Sequence, residues 1–291
     1  LPIYHLIGYG EVNTLDNILF FTSKGTYGYV PVYEVDDAKW KEIGSHINSK
    51  IKITSDEKIT DAFIVKDFKT NAYMLSITRH GLVKKTAICE YEVSRNNKTM
   101  SNMKLLEDDE VVQTYVAYEE DEILIASKKG YITRYPISLI PATSPRSKGV
   151  KAMNLVEDEI ASALIYNNDN RQLVVFSDNC ACKRMKLTDI DVTGRPTKGS
   201  MLCKKVKSKP YHIAYISLHD LNDEIVIANS EIHKVVSKDI PLMAKDATFS
   251  AMLKGITDFY LLKELPKVEL RELPKQEEVE EEDFEALSLF E

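Results

Sequence analysis

Apolar and polar positions along this chain fall into a unit that comes round five times. Each unit opens with a short apolar run, turns sharply, and continues as a second strand-like stretch. The copies read NILFFTSKG from Asn17 to Gly25, AYMLSITRHG from Ala72 to Gly81 and EILIASKKG from Glu122 to Gly130. QLVVFSDN from Gln172 to Asn179 and EIVIANS from Glu224 to Ser230 complete the set. The turn residues Gly25, Gly81, Gly130, Asn179 and Ser230 are spaced by 56, 49, 49 and 51. The runs last about six residues, are rich in Ile, Val, Leu and Phe, and are apolar on both faces, so they predict strands sandwiched between neighbouring sheets rather than helices. Glycine suits the turns because a two-residue hairpin needs positive φ, which asparagine also tolerates.

A second element follows each turn by about 19 residues. The third unit has Arg146-Ser147-Lys148-Gly149-Val150-Lys151-Ala152-Met153, and the fourth has Arg195-Pro196-Thr197-Lys198-Gly199-Ser200-Met201. A degenerate copy spans Asn97 to Leu105, and Gly44 holds the equivalent place in the first unit. An acidic loop comes next, as at Glu107-Asp108-Asp109-Glu110 and Glu157-Asp158-Glu159, and another apolar strand leads into the following unit. Four strands in about 50 residues cannot bury both faces of their own sheet, so neighbouring units must stack. Radial stacking predicts an all-β, propeller-like ring of four-stranded blades, with five clear repeats and a partial sixth suggested by the first twelve residues. The ring is expected over 1–262. Beyond it, two ELPK repeats and the run Gln276 to Asp283 predict an acidic, disordered tail over 263–291.

Charge sharpens this division. The 291 residues carry a net −7, and the segment from Lys263 to Glu291 alone has 4 basic and 11 acidic side chains. The body is therefore neutral, yet Pro145 to Pro210 holds 13 basic against 7 acidic residues. A polarised surface of that kind permits a polyanionic partner. No apolar run is long enough to span a membrane. The chain starts at Leu1, as expected for a piece of a longer polypeptide. Four cysteines, Cys89, Cys180, Cys182 and Cys203, are too few for a disulfide scaffold and suit a reducing cytoplasm. Cys180, Cys182 and Cys203 lack the ligand spacing of a zinc site, so no metal is expected. The six histidines are scattered, Trp40 reads as a structural anchor, and no phosphate-binding glycine loop is present to hold ATP.

The repeats resemble the C-terminal domain of the A subunit of bacterial type IIA topoisomerases, gyrase and topoisomerase IV. The resemblance rests on Asn13-Thr14-Leu15-Asp16-Asn17 with Ser23-Lys24-Gly25, on Gly81-Leu82-Val83-Lys84-Lys85-Thr86, and on the basic-glycine elements around Gly149 and Gly199. It covers essentially all of 1–262. The stretch from Ala38 to Ile47 looks like the topoisomerase IV version and lacks the Arg-Gly-x-Pro pattern of gyrase. The resemblance implies a β-pinwheel whose blades exchange strands, and a non-catalytic, cytoplasmic, nucleoid-associated role in binding and bending duplex DNA. It further implies a parent ATP- and Mg-dependent enzyme that relaxes and decatenates DNA during chromosome segregation. That enzyme would be an A2B2 heterotetramer in which the partner of the A chain is an ATPase, the B subunit. The fragment itself is expected to be no enzyme and to need no cofactor, since none of its 15 tyrosines sits in the family's cleavage motif. The equivalent gyrase domain is the alternative reading, and a propeller scaffold for protein partners is a second, of another class.

Phosphate-binding candidates follow from the repeat. Lys85, Arg134, Lys183 and Lys234 stand four residues after their turns, with Lys84 and Arg184 beside two of them. The loops add Arg146, Lys148, Lys151, Arg195, Lys198, Lys204, Lys205, Lys207 and Lys209. Repeated once per blade, such charges would form a band matching the negative charge that duplex DNA offers every ~1.7 Å of axis. The acidic tail is read either as a solubilising extension or as a competitor for that band. Its last residues, Ala286 to Phe290, resemble the short peptide that docks on the replication sliding clamp, with Leu287, Leu289 and Phe290 as anchors.

Overall fold

The computed structural model describes residues 6, 8–39, 41–93, 97–167, 170–203 and 211–272. Its secondary structure is strands and short 3-10 turns, arranged in five sheets that are antiparallel but for one short strand. Repeat 1 supplies β1 (Asn17–Thr22), β2 (Thr26–Pro31) and β3 (Ile59–Val65). Repeat 2 supplies β4 (Tyr73–Thr78), β5 (Leu82–Ala87), β6 (Met100–Ser101) and β7 (Val111–Ala117). Repeat 3 supplies β8 (Glu122–Ser127), β9 (Tyr131–Pro136), β10 (Val150–Lys151) and β11 (Ile160–Tyr166). Repeat 4 supplies β12 (Gln172–Ser177), β13 (Cys182–Met185), β14 (Ser200–Met201) and β15 (Ile213–His219). Repeat 5 supplies β16 (Glu224–Ala228), β17 (Ile232–Val236) and β18 (Tyr260–Leu261). A last short strand, β19 (Lys267–Val268), follows.

The short strand of each repeat leaves its own blade. β6 completes the sheet of repeat 1, β10 that of repeat 2 and β14 that of repeat 3. Ser250 of repeat 5 does the same for repeat 4 through a bridge to Cys182. This exchange is the pinwheel arrangement, and it explains the basic-glycine element. Gly199 has φ +78°, and a Cβ there would lie 2.2 Å from the Ile132 carbonyl oxygen of the host blade. Gly149 leaves only 2.8 Å to the Val83 oxygen. Glycine lets the visiting backbone approach that closely.

Turn chemistry differs from expectation in one place. Gly25, Gly81 and Gly130 carry φ of 70°, 84° and 87°. In repeat 4 the left-handed residue is Cys180, φ 58°, rather than Asn179. The Cys180 amide donates to Ser177 O just as that of Gly130 donates to Ser127 O. The register there shifts by one residue. Arg184, opposite Val174, is therefore the counterpart of Lys85 opposite Leu75 and Arg134 opposite Leu124.

Apolar side chains between the blades make the core. Leu19, Phe21 and Tyr27 of the first blade pack with Met74, Ile88 and Tyr91 of the second. Similar clusters join the second blade to the third, the third to the fourth and the fourth to the fifth. No buried cluster of described residues joins the fifth to the first. The rear of the first blade, Phe20 and Val30, is filled instead by Ile47, Ile51 and Ile53 of its own loop.

The boundary expected at 262 moves outward. Residues 263–272 form a strap from the fifth blade across the inner side of the first to the second. β19 pairs parallel with β3 and buries Val268. Lys263 reaches the buried Asp61 at 2.8 Å, Tyr118 Oη donates to Glu269 O at 2.6 Å, and Arg271 pairs with Glu120 at 3.0 Å and with Asp121. Buried acids on distant blades thus hold a segment whose composition alone reads as unstructured. Of the first twelve residues, expected to be the terminal strand of a sixth unit, Tyr9 bridges Glu264 of this strap.

Candidate nucleic-acid interface

The exchanged elements touch one another around the rim. Arg146 N donates to Asn102 O at 2.9 Å, and Lys104 N donates to Ser147 O at 3.0 Å. Asn154 N donates to Thr197 O at 2.8 Å, and Arg195 Nη1 to Lys151 O at 2.7 Å. Elements 97–105, 143–155 and 193–203 are therefore one continuous belt, hydrogen-bonded from repeat to repeat. Arg146, Lys148, Lys151 and Lys198 project from it exposed, and Arg195 is half-buried. Lys198 lies 4.6 Å over the Tyr131 ring. Lys204, Lys205, Lys207 and Lys209 continue from Cys203 but lie outside the described residues, as do Leu287, Leu289 and Phe290.

The candidates on the hairpin strands behave differently, and the expectation of a band built from them is corrected. Lys84, Lys85, Lys183 and Arg184 are buried, and Arg134 is largely so. All but Lys84 hold blades together. Lys85 Nζ pairs with Glu119 at 2.9 Å and donates to Ile137 O at 3.4 Å. Arg134 pairs with Glu122 at 2.7 Å and donates to Ile190 O at 3.2 Å. Arg184 donates to Ile240 O at 3.0 Å. In all three cases the acceptor belongs to, or directly follows, the 3-10 turn of the next repeat. Tyr29, the counterpart in repeat 1, sends its hydroxyl to Val93 O at 2.5 Å. Lys84 is buried and donates to Thr86 of its own strand, and burial pulls its ammonium down to about 8.

Lys183 is enclosed most completely. Its ammonium is 0% exposed and donates to Leu202 O, to Ala244 O at 3.3 Å, to Lys245 O at 2.6 Å and to Ala247 O at 2.9 Å. Phe249 covers it at 5.6 Å. Burial pulls this ammonium down to about 8, so it stays charged at neutral pH. The cage extends the belt, tying the repeat-4 element to residues 244–247 of repeat 5. Lys234 alone of the strand set is exposed, paired with Glu224 at 2.7 Å.

The belt also holds cations that spacing from the turns did not select: Lys98 and Lys104 in repeat 2, and the half-buried Lys245 in repeat 5. Their signal is position within the exchanged element rather than local charge density. Among the described residues, none of Lys98, Lys104, Arg146, Lys148, Lys151 and Lys198 has a carboxylate within 4.0 Å. The hairpin-turn face contrasts with this. There the acidic loops meet the turns: Lys24 pairs with Asp56 at 3.0 Å, Arg79 with Glu110 at 3.3 Å and Lys128 with Glu159 at 2.6 Å. Asp109 and Asp158 accept the amides of His80 and Lys129, each at 3.0 Å. One face is internally neutralised, and the belt is not.

The ring's central channel, about 530 Å³, is lined by Tyr115, Leu164, Tyr215 and Tyr260, with the Asp61–Lys263 pair at one side. Among the described residues no group of three or more His, Cys, Asp or Glu could hold a metal ion, and no helix is long and apolar enough to cross a membrane.

Comparison with known proteins decides the family. The family model for the DNA gyrase C-terminal domain, a beta-propeller, matches residues 16–66, 72–117, 121–167 and 171–219. The chain belongs to this family. The four matched segments coincide with repeats 1 to 4, so the exchanged belt lies largely within the family's own repeats. The chain is 33% identical over 205 residues to the A subunit of DNA topoisomerase 4 from Bacillus subtilis, covering 70% of this chain and 25% of that protein. It is 30% identical over 230 residues to the same protein of Staphylococcus epidermidis, covering 79% and 29%. It spans about a quarter of the length of these relatives. A solved topoisomerase IV C-terminal domain superposes with TM-score 0.79 at 33% identity, covering 84% of this chain and 76% of that one. A gyrase A C-terminal domain gives TM-score 0.72 at 22% identity, covering 87% and 84%, which supports the fold alone.

Proposed function

We propose that this chain is the DNA-binding and DNA-bending domain of a topoisomerase IV, carried on its A subunit, and that it works through the belt. The observation that carries this is the row of cations with no carboxylate partner among the described residues, on elements tied together from repeat to repeat. A belt curving around a disc meets phosphates along an arc and needs no base contacts. Bending a site of 20–30 base pairs by 40–90° costs on the order of 1–6 kcal/mol, which distributed phosphate contacts must offset. The hairpin-turn face, already neutralised, adds no comparable attraction. Topoisomerase IV is favoured over gyrase by the 33% identical relatives and by the Ala38–Ile47 stretch. In the whole enzyme the bent duplex would be presented to catalytic domains elsewhere in an A2B2 assembly. ATP and Mg would be used there, in the cytoplasm.

Salt dependence tests the reading. Six belt cations at about −0.9 each give a slope of about −5 in log K against log salt, and a loss of roughly a thousandfold between 50 and 200 mM. Fluorescence anisotropy with a 30-base-pair duplex reads it. Affinity that is absent, or flat with salt, removes the proposal.

A further inference from the structure

Repeat 2 carries polar side chains at three buried positions where its sister repeats are apolar. Ser76, five residues before its left-handed turn residue, stands where repeats 1, 3 and 4 have Phe20, Ile125 and Val175. Its cross-strand neighbour Thr114 replaces Ala62, Ala163 and Ile216. Asn102 donates its amide to Gly25 O, as Ala152 does to Gly81 O and Leu202 to Gly130 O. The sister repeats build the same blade from apolar groups at these places, and a buried polar set adds no stability over a well-packed apolar one.

The three side chains are hydrogen-bonded to one another. Asn102 Nδ2 donates to Ser76 Oγ at 2.8 Å, Ser76 Oγ lies 3.2 Å from Thr114 Oγ1, and Tyr91 Oη donates to Asn102 Oδ1 at 2.7 Å. This row has two ends. Inward, Thr114 N donates to Asp61 Oδ2 at 2.8 Å, and the other oxygen of that carboxylate takes Lys263 of the strap at 2.8 Å. Outward, Asn102 O accepts the Arg146 amide of the belt at 2.9 Å. Arg146 has φ 71°, a left-handed backbone that a residue with a side chain keeps only where its surroundings hold it. A continuous polar relay therefore runs from strap to belt through the junction of the first two blades.

The strap supplies the element with two states. Val268 is the one buried residue of 263–272, and the remaining contacts are ion pairs and backbone hydrogen bonds. A segment anchored by so little apolar burial opens locally at low cost. Undocking takes Lys263 away from Asp61, a buried carboxyl whose pKa burial already pushes up, and so disturbs the inner end of the relay. We infer that the relay couples docking of the strap to DNA binding on the belt, each favouring the other. The inference rests on the belt being the DNA site, and it adds a regulator to that site. By linkage the effect runs both ways: the docked strap tightens the belt's hold on DNA, and bound DNA tightens the strap.

Hydrogen exchange read by mass spectrometry on the 291-residue protein tests this, with and without a saturating 30-base-pair duplex. The duplex should slow exchange over residues 263–270 about fivefold in the parent. Asn102→Leu, the residue type found at the same place in repeat 4, and Ser76→Ala, which cuts the relay without adding volume, should bind duplex through the remaining belt cations and lose that slowing. Lys263→Met should weaken duplex binding about fivefold in the parent and less than about 1.5-fold in the Ser76→Ala protein. Lys267→Met, on the same strap but away from Asp61, should stay below about 1.5-fold in both. A strap whose exchange ignores the duplex overturns the inference. So does slowing that survives in both relay variants, because the duplex would then touch the strap directly. A parent that binds no duplex removes the belt reading, and this inference with it.

Discussion

Reversing three belt charges together, Lys148→Glu, Lys151→Glu and Lys198→Glu, is expected to weaken binding to a short duplex about 500-fold at 0.1 M salt. The magnitude comes from counterion release. Each lost phosphate contact removes about 0.9 from the salt exponent, so three contacts remove about 2.7. The slope should flatten by that amount, and folding should not change. All three side chains are exposed and none is paired with a carboxylate among the described residues. Surface changes of this kind stay within about 0.5 kcal/mol in stability. Titration of the duplex at four salt concentrations, with a melting curve for each protein, reads both quantities. A variant that loses affinity without flattening the slope would place the contacts elsewhere.

Lys183→Met should do the opposite, with large damage to stability and little to intrinsic affinity. The substitution leaves the carbonyls of Leu202, Lys245 and Ala247 without this donor, whereas Ala244 O keeps the Ala247 amide. Unpaired buried acceptors cost about 1–3 kcal/mol each. Relief from burying a charge offsets part of that, since burial already pulls the ammonium down to about 8. A net loss of about 3 kcal/mol corresponds to a melting temperature lower by about 6–12 °C for a chain of this size. Lys234→Met, at the exposed strand position that pairs with Glu224, serves as the control and should shift melting by less than about 2 °C. Calorimetry on the three proteins decides the point. If Lys183→Met melted like the parent but bound DNA poorly, Lys183 would be a phosphate contact after all.

The contrast between these two lysine sets shows what a single sequence carries and what it hides. The repeat was legible because strand runs and left-handed turns leave local marks, apolar on both faces and glycine at fixed intervals. The belt was half legible. Gly149 and Gly199 with their flanking cations announce an unusual backbone, but which blade receives that backbone depends on partners nearly 70 residues earlier, as in Val150 with Val83 and Ser200 with Ile132. The strand cations were misread for a physical reason. A lysine four residues after a turn looks the same whether it faces water or the carbonyls of the next blade.

Two other features differ from what the sequence predicts. Asn179 is the residue type a hairpin turn favours, yet Cys180 takes the left-handed conformation, φ 58°, and moves the register by one. The strap around Pro266 reads as unstructured from its prolines and charges. Its partners Asp61 and Asp121 are buried acids 150 or more residues earlier, and nothing local to the strap points to them. The strap's deciding interactions join blades, and the spacing of residues within one repeat contains no record of them; the turn is instead fixed locally, with Ser177 Oγ and Ala181 N donating to Asn179 Oδ1.

Lysine footprinting is the most direct test of the belt. The 291-residue chain would be acetylated by a water-soluble ester with and without a 30-base-pair duplex, and each lysine read by mass spectrometry. Protection should fall on Lys98, Lys104, Lys148, Lys151 and Lys198, while Lys24 and Lys128 on the hairpin-turn face react as before. Protection confined to the turn face, with the five belt lysines unchanged, would contradict the account.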